Sequence, residues 1–340
     1  MSESLHLSGW RFRAVVLSVV GSALGYLGFS LWGGWHAVAQ AVAEVGLIGI
    51  VIALLMSSIN YGLRFLRWQA YLNVLGHPMP WRPSLNIYLA GFALTTTPGK
   101  AGEALRGVLL KRWGVPYPMS FAAFFSERLS DLFAVVLLTL FGLSLYPDAL
   151  PMIVVGVGLV LVGLLVLSQR RLLERLTLMI PAEGGKVIGL LRHLMQVLVQ
   201  AQRCHRLGLM LGLTLLSVIA WSAEALAFDW ILHWMGADIP LTFAVFVYAL
   251  AMLAGAVSFM PGGLGGAEAV MVGLLVWKGM SSADAIAATV LIRLATLWFA
   301  VAIGAVMLLK LKAQTPLRSQ SVQSHPQALS SVLSRKQGQE

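Results

Sequence analysis

Two Pro-Gly segments, PGKAGEA at residues 98–104 and PGGLGGAEA at residues 261–269, each interrupt a longer apolar stretch, at about 84–113 and about 240–278. Proline lacks a backbone N–H and glycine loosens the backbone, so neither suits the interior of a helix. Each stretch is therefore predicted to form two short helices joined by an irregular break. The residues that make the breaks are Pro98, Gly99, Gly102, Pro261, Gly262, Gly263, Gly265 and Gly266.

The sequence around these breaks has the composition of a membrane protein. Hydrophobic residues make up 58% of it and charged residues only 11%, against roughly 25% charged residues in soluble domains. Apolar runs approach the ~20 residues that cross a hydrocarbon core. Full spans are predicted at about 14–32, 43–63, 119–146, 150–168, 207–233 and 283–309. Because irregular backbone cannot face lipid, the two broken stretches are predicted to be re-entrant helical hairpins, buried among the spans.

Basic residues cluster on one side of this layout. Arg11 and Arg13 precede the first span, seven Lys and Arg residues fall between the fourth and fifth spans, and Lys310 and Lys312 follow the last. Lys278 stands alone on the other side. The positive-inside rule then places both termini in the cytoplasm. This placement accounts for the formal charge of +10 and argues against a nucleic-acid partner.

A single domain is predicted over residues 1–312. Its repeat halves lie at about 43–146 and 207–309, and a connector at about 170–206 contains an amphipathic helix suited to the membrane interface. Residues 313–340 are rich in Ser and Gln and are predicted to form a disordered cytoplasmic tail. The single cysteine excludes an intramolecular disulfide, and the sequence has no zinc, nucleotide or hydrolase motif, so no cofactor or metal is expected.

The two broken stretches belong to an internal duplication. In each half, a break with a following glutamate precedes a span that carries an Arg-Leu pair, Arg128-Leu129 and Arg293-Leu294. The offset is 163 residues at the prolines and 165 at the arginines, and two extra residues in the second break account for the difference. Under the predicted topology the halves run in opposite directions, as in transporters that work by alternating access. The predicted fold class is all-α: a polytopic membrane protein of about six full spans plus two re-entrant helical hairpins in an inverted repeat.

Ionisable residues inside the apolar segments are the candidates for substrate binding. Each costs roughly 2.5–3.5 kcal/mol to insert and must face the protein interior or a wet cavity. Arg64 and Arg67, at the end of the second span, either mark where anionic headgroups enter or are snorkelling anchors. Glu224 and Asp229 are candidate accessory acids. The substrate-binding set is Lys100, Glu103, Arg106, Glu127, Arg128, Asp131, Glu268 and Arg293.

Each candidate has a functional and a structural interpretation. The helix N-terminus beside Lys100 suits a phosphate or carboxylate, or its glycines merely allow close packing. Arg128 can bind a lipid phosphate with two hydrogen bonds, and Glu127 and Asp131 can carry a proton or bind a cationic headgroup. Alternatively, these three residues form a buried ionic lock. Two pairings are compatible with the sequence, Glu103 with Arg106 and Glu268 with Arg293.

Three motifs together resemble the lysylphosphatidylglycerol synthase transmembrane family over about residues 10–310: TPGKAGEALR at 97–106, ERLSD at 127–131 and PGGLGGAE at 261–268. That family includes the flippase-like membrane domain of the bacterial multiple peptide resistance factor, which is fused to a cytoplasmic aminoacyl-transferase. The resemblance implies a bacterial inner-membrane protein that translocates a lipid. Stand-alone relatives occur near hopanoid, glycolipid and polyprenyl-linked pathways, so the resemblance leaves several substrates open: a phospholipid, hopanoid, glycolipid or polyprenyl-phosphate.

The predicted function is a flippase-like lipid translocase that moves an anionic or headgroup-modified lipid, or a lipid-linked intermediate, between leaflets. Two alternatives stay open. Glu127 or Asp131 can act as the base of an integral-membrane lipid-modifying transferase, or the chain is a non-catalytic scaffold for a partner enzyme. A membrane lipid is the expected partner, and a lipid-modifying enzyme and a homo-oligomer are left open as further partners.

Overall fold

The computed structural model describes residues 35–97, 101–144, 148, 150–169, 185–258 and 260–313, together with positions 21, 25, 28, 175 and 178. All regular elements in these ranges are helical. They are α1 (Trp35–Val74), α2 (Trp81–Ala90), α3 (Ala101–Lys111), α4 (Tyr117–Leu143), α5 (Leu150–Ser168), α6 (Lys186–Gln202), α7 (Leu207–Trp234), α8 (Leu241–Val257), α9 (Gly266–Trp277), α10 (Ser282–Arg293) and α11 (Phe299–Ala313). Short 3-10 helices occupy Gly91–Leu94, Arg203–His205 and Pro261–Gly263, and a π-helical turn, Leu294–Trp298, joins α10 to α11.

The predicted second span covers only the middle of a longer helix. The segment 43–63 lies within α1, which is kinked at Gly46 (φ 64°, ψ 176°) and continues through Arg64 and Arg67 to Val74. Both arginines pair with acidic groups of α4 inside the bundle, so they do not end the helix at a membrane surface. The other predicted segments in the described ranges coincide with α4, α5, α7 and the continuous α10–α11. Several predicted features lie outside the described residues: the first span at about 14–32 except positions 21, 25 and 28, the centre of the first break at 98–100, most of 170–184, and the tail beyond 313.

Within the described part of the chain, three helices are long and apolar enough to cross a membrane: α1, α7 and the continuous helix Ser282–Leu311. α4 is also long, at 27 residues, but it carries three charged residues near its middle. An exposed apolar surface as large as that of α1 and α5 is unfavourable in water and suits contact with lipid. The exposed side chains are Leu47, Ile48, Val51, Leu55, Ile59, Val154, Val155, Leu159, Leu161, Val162 and Leu165.

The turns of the backbone repeat the internal duplication. Gly76 and Gly236 follow α1 and α7 with φ of 84° and 72°, and Gly114 and Gly279 follow α3 and α9 with φ of 81° and 105°. After each glycine, the next amide donates to the carbonyl five residues earlier, which is the Schellman ending that favours glycine in the left-handed position. The first pair is 160 positions apart and the second 165. Three of the five extra residues lie before the break, because α8 has 17 residues where α2 and its 3-10 helix have 14.

The equivalent helices α1 and α7 pack against each other in opposite directions. Gly49 packs on the Trp234 indole, and further along α1 the Asn60 amide donates to the carbonyl of Ala220 at 2.8 Å. Residue numbers therefore rise along α1 as they fall along α7. Since Asn60 and Ala220 are themselves equivalent at the offset of 160, a pseudo-twofold axis passes between them.

Each broken stretch packs on the arginine-bearing helix of the other half. The 3-10 helix after α2 contacts α11, and α8 contacts α4. Glycines allow both approaches, since a Cβ on Gly304 would overlap the backbone of Ala93 and a Cβ on Gly142 would overlap Phe246. The two halves are interlocked in this way, and Arg67, Arg106, Glu127 and Asp131 lie buried inside the resulting bundle.

Candidate functional site

A cluster of charged side chains joins α1 to α4 in the interior of the bundle. Asp131 on α4 forms ion pairs with three arginines: Arg67 Nη1 at 2.8 Å, Arg128 Nη2 at 3.0 Å and Arg64 Nη2 at 3.2 Å. The indole N–H of Trp221 on α7 donates to Asp131 Oδ1 at 3.0 Å. The Arg67 side chain is 0% exposed. An arginine buried among these partners does not behave as a snorkelling anchor, which keeps its charged head in water.

Arg106 on α3 forms the second part of this cluster. Its Nη1 lies 2.9 Å from Oε2 of the fully buried Glu127. The guanidinium also lies over three aromatic rings, with centroid distances of 4.4 Å to Tyr88, 5.4 Å to Trp68 and 5.8 Å to Phe92. Such cation–π contacts hold the guanidinium in place. The first residue of the neighbouring 3-10 helix is a glycine, which leaves room where a Cβ would overlap the arginine.

The cluster contains more cations than anions among the described side chains. Four arginines contact the two carboxylates of Glu127 and Asp131, a formal excess of +2. If Glu103 were also part of the cluster as a carboxylate, the formal excess of positive charge would still be +1. Some buried donors make no hydrogen bond within the described residues: Arg67 Nε, Arg67 Nη2 (4.0 Å from Glu127 Oε1), Arg106 Nε, Trp68 Nε1 and the Tyr88 hydroxyl. The cluster therefore offers both positive charge and uncommitted donors to an anion.

Arg128 lies at the rim of this cluster. Its side chain is 32% exposed and packs over Phe124, 5.5 Å from the ring centroid. Of the arginines predicted at the site, Arg106 is buried and Arg128 is not, and Arg67, predicted as a possible headgroup-entry residue, is buried with Arg106. The backbones of Gly102 and Glu103 lie in α3, but their side-chain surroundings are outside the described residues, as are Pro98, Gly99 and Lys100 entirely. The pairing of Glu103 with Arg106 stays a prediction.

The second half contains a simpler arrangement. Arg293 Nε lies 2.6 Å from Glu268 Oε1, and Arg293 Nη2 donates to the Gly262 carbonyl at 2.8 Å. The other carboxylate oxygen of Glu268 accepts from the Gly265 N–H at 2.6 Å, where that glycine has a φ of 84°. The pairing of Glu268 with Arg293 is present, and it ties the second break to α10 through one cation and one anion.

The structure separates the two accessory acids. Glu224 is buried (4% exposed) and accepts a hydrogen bond from the Tyr248 hydroxyl at 2.5 Å. Asp229 is only partly buried and lies five residues further along α7, about 140° around the helix from Glu224. Asp229 therefore points away from the face of α7 that carries Glu224.

Trp221 and Ser217 of α7 both contact the arginine cluster, and neither contact was predicted from the sequence. The internal repeat does contain an indication of the Trp221 contact. Trp221 is equivalent to Tyr61 at an offset of 160, and Asp131 is equivalent to Thr296 at an offset of 165. The Tyr61 hydroxyl donates to the Thr296 carbonyl, just as the Trp221 indole donates to Asp131. Extending the repeat upstream of the breaks would have identified Tyr61 and Trp221 as equivalent positions.

Comparison with known proteins places the chain in a family. The model described as the lysylphosphatidylglycerol synthase TM region matches residues 14–304. A UPF0104 membrane protein of Pyrococcus horikoshii is 23% identical over 311 residues, which cover 82% of this chain and 92% of the relative. A UPF0104 membrane protein of Methanothermobacter thermautotrophicus is 24% identical over 300 residues, covering 78% and 86%. These relatives are archaeal. The resemblance seen in the motifs is confirmed, and the chain belongs to the lysylphosphatidylglycerol synthase TM region family of multi-pass membrane proteins.

Proposed function

We propose that this protein is a lipid translocase, and that the arginine cluster of α1, α3 and α4 binds the anionic headgroup of the lipid. The observation that carries the proposal is the excess of guanidinium groups over carboxylates inside the bundle. An isolated buried charge is strongly unfavourable, so an excess of buried cations favours a bound anion. Inside a membrane, the anion available at this position is a lipid headgroup.

The donors of the cluster suit a phosphate. Arginine presents a planar fork of N–H groups that matches phosphate oxygens, and Arg67 and Arg106 retain nitrogens without an acceptor among the described residues. The cation–π contacts of Arg106 fix its guanidinium, which limits the entropy lost when an anion binds. Glu127 and Asp131 give the same site a place for an amine on a modified headgroup. The proposed substrate is therefore an anionic or headgroup-modified lipid of the phospholipid, hopanoid, glycolipid or polyprenyl-phosphate class.

The antiparallel packing of α1 and α7 supports a transport mechanism. We propose that the six predicted spans and two re-entrant hairpins form an inverted repeat, with the pseudo-twofold axis in the membrane plane. Transporters with such repeats bind substrate where broken helices meet and alternate between two access states. The distribution of basic residues supports cytoplasmic termini. The motif resemblance supports the bacterial inner membrane as the compartment, and the relatives from Pyrococcus and Methanothermobacter are archaeal.

The test is a lipid-translocation assay on purified protein in vesicles of phosphatidylcholine with fluorescently labelled phosphatidylglycerol. We expect the wild-type chain to expose inner-leaflet phosphatidylglycerol to an external quencher faster than it exposes labelled phosphatidylcholine. Arg106→Lys keeps the charge but loses the planar fork, and we expect it to slow the initial rate at least about tenfold, the effect of losing roughly 1.4 kcal/mol of substrate interaction.

Arg82→Lys is the matched control, because Arg82 is an exposed arginine at the start of α2 and its replacement should leave the rate unchanged. Equal reconstitution of the variants is checked by their density in the vesicles. A wild-type rate in Arg106→Lys, or equal rates for the anionic and zwitterionic lipids in the wild type, would contradict the proposal.

A further inference from the structure

Glu224 is a buried acid without a cation at ion-pair distance among the described residues. It lies on α7 with 4% exposure, and the Tyr248 hydroxyl donates to its Oε2 at 2.5 Å. Every other buried carboxylate in the described part of the chain, those of Glu127, Asp131 and Glu268, has at least one arginine within 4.0 Å. A carboxylate removed from water with one neutral donor is unfavourable as an anion and takes up a proton instead.

The charged and titratable groups around Glu224 come from four helices. Arg64 and Arg293 both interact electrostatically with it at longer range. The 3-10 helix Arg203–His205 also contacts α7, but at the start of α7, about 26 Å along the axis from Glu224. The groups that face Glu224 are Tyr61 and Arg64 of α1, Asp131 of α4, Tyr248 of α8 and Arg293 of α10.

Arg64 is the neighbour that can respond to the charge on Glu224. Its guanidinium lies over Trp221 at 5.3 Å, and Trp221 precedes Glu224 by three residues, so the two side chains are neighbours on one face of α7. In the structure Arg64 is held at 3.2 Å by Asp131 and more weakly by Asn60 at 3.4 Å. Arg64 and Glu224 are also equivalent positions of the two halves, at the offset of 160. The Arg64 guanidinium lies beside the turn of α7 that carries Glu224, and it interacts electrostatically with both Asp131 and Glu224.

We propose that the Glu224 carboxyl, with the Tyr248 hydroxyl bound to it, is a proton-binding site whose protonation keeps Arg64 on Asp131. When Glu224 releases its proton to the water of the compartment facing the site, its carboxylate competes with Asp131 for Arg64. The headgroup cluster then loses one of its four cations and binds an anion less tightly. Proton and anion binding thus reinforce each other, and by linkage each raises the affinity of the other by the same factor. This inference rests on the proposed function and adds a proton as the coupled ion.

The first test reads the proton directly and does not depend on transport. Infrared difference spectroscopy of the purified protein detects the C=O stretch of a buried protonated carboxyl. We expect this band at neutral pH in the wild type, its loss in Glu224→Gln, a frequency shift in Tyr248→Phe, and no change in Asp229→Asn. Asp229 is the matched control because it is an acid of the same helix outside the cluster. A band that survives in Glu224→Gln, or no band in the wild type, would overturn the proton site.

The second test measures the coupling between protonation of Glu224 and lipid transport. In the vesicle assay with labelled phosphatidylglycerol, the wild-type initial rate should fall about tenfold as the pH rises across the titration of Glu224, within the range typical of coupled sites. Glu224→Gln cannot ionise and should keep the low-pH rate at all pH values, while Asp229→Asn should keep the wild-type profile. A wild-type pH profile in Glu224→Gln would disprove the coupling. If the wild type moves no lipid at any pH, the proposed function fails, and the infrared result still decides the proton site.

Discussion

The two halves of the molecule share a backbone but differ in charge at equivalent positions. On the helices that pack across the pseudo-twofold axis, Arg64 corresponds to Glu224, and the fully buried Arg67 corresponds to Ala227. The surroundings differ in the same sense, since the first half gathers an aromatic core around its arginines and the second half buries mainly aliphatic residues and alanine. The two halves thus share their turns and helix packing, but among the described residues only the first half contains a cluster of arginines.

The pair that both halves share is the glutamate after the break and the arginine of the following helix. In the second half these are Glu268 and Arg293, in contact at 2.6 Å, and in the first half the equivalent positions hold Glu103 and Arg128. In the second half this pair links the break to its helix, whereas Arg128 of the first half pairs with Asp131. The residues present in one half only, such as Arg67, are better suited to selecting a substrate.

The largest effect on stability is expected from Asp131→Asn, which removes the carboxylate that three arginines share. Breaking a buried ion pair by removing one partner costs about 3–5 kcal/mol, and here the remaining cations also repel one another. The chain has one cysteine, Cys204, which is buried, and burial raises the pKa of its thiol to about 11. Because the thiolate is the reactive form, a thiol-reactive dye in detergent solution labels Cys204 only on unfolding and reports the midpoint.

The control for this variant is Asp148→Asn, an exposed acid between α4 and α5 that should leave the unfolding midpoint unchanged. A stability loss in Asp131→Asn no larger than in the control would show that the arginines do not depend on this carboxylate. The main electrostatic difference between the two halves would then make no contribution to stability.

The equivalent arginines provide the second prediction. Arg293→Gln leaves Glu268 buried with the Gly265 N–H as its remaining partner, and we expect it to lower the free energy of unfolding by about 2–3 kcal/mol. Arg128→Gln should cost only about 0–1 kcal/mol, because Arg128 is partly exposed and Asp131 keeps Arg64 and Arg67. The same dye assay measures both variants. Equal losses would mean that the two positions have the same structural role despite their different surroundings.

Much of the fold could be predicted from the sequence because its signals are local. Apolar runs mark the helices, Pro-Gly segments mark the breaks, and the recurring glutamate and arginine mark the duplication. The end of α1 could not be predicted, since Arg64 and Arg67 look like residues at a membrane surface until Asp131 is known to face them. Likewise, the sequence named both Arg106 and Arg128 as candidates but could not rank their burial, and tertiary packing buries Arg106 while it leaves Arg128 at the rim.

The pairing of Glu224 with Tyr248 shows the same limit. The two residues are far apart in sequence and belong to no motif, so only the packing of α8 on α7 brings them together. The equivalent tyrosine of the first half, Tyr88, lies over Arg106. The same residue type at equivalent positions therefore faces a cation in one half and an acid in the other, and only the side chains around it reveal which.

The smallest expected effect tests the repeat itself, through the two aromatic donors that are equivalent across the axis. Tyr61→Phe removes the hydrogen bond to the Thr296 carbonyl, and Trp221→Phe removes the hydrogen bond to Asp131, which keeps its three arginines. Each variant should lower the free energy of unfolding by about 0.5–1.5 kcal/mol, the usual contribution of one hydrogen bond, as measured by the dye assay. One replacement could be neutral while the other lowers the free energy of unfolding as much as Arg293→Gln does. The two hydrogen bonds would then not be equivalent, and the pseudo-twofold relation would hold for the backbone but not for the energetics of the site.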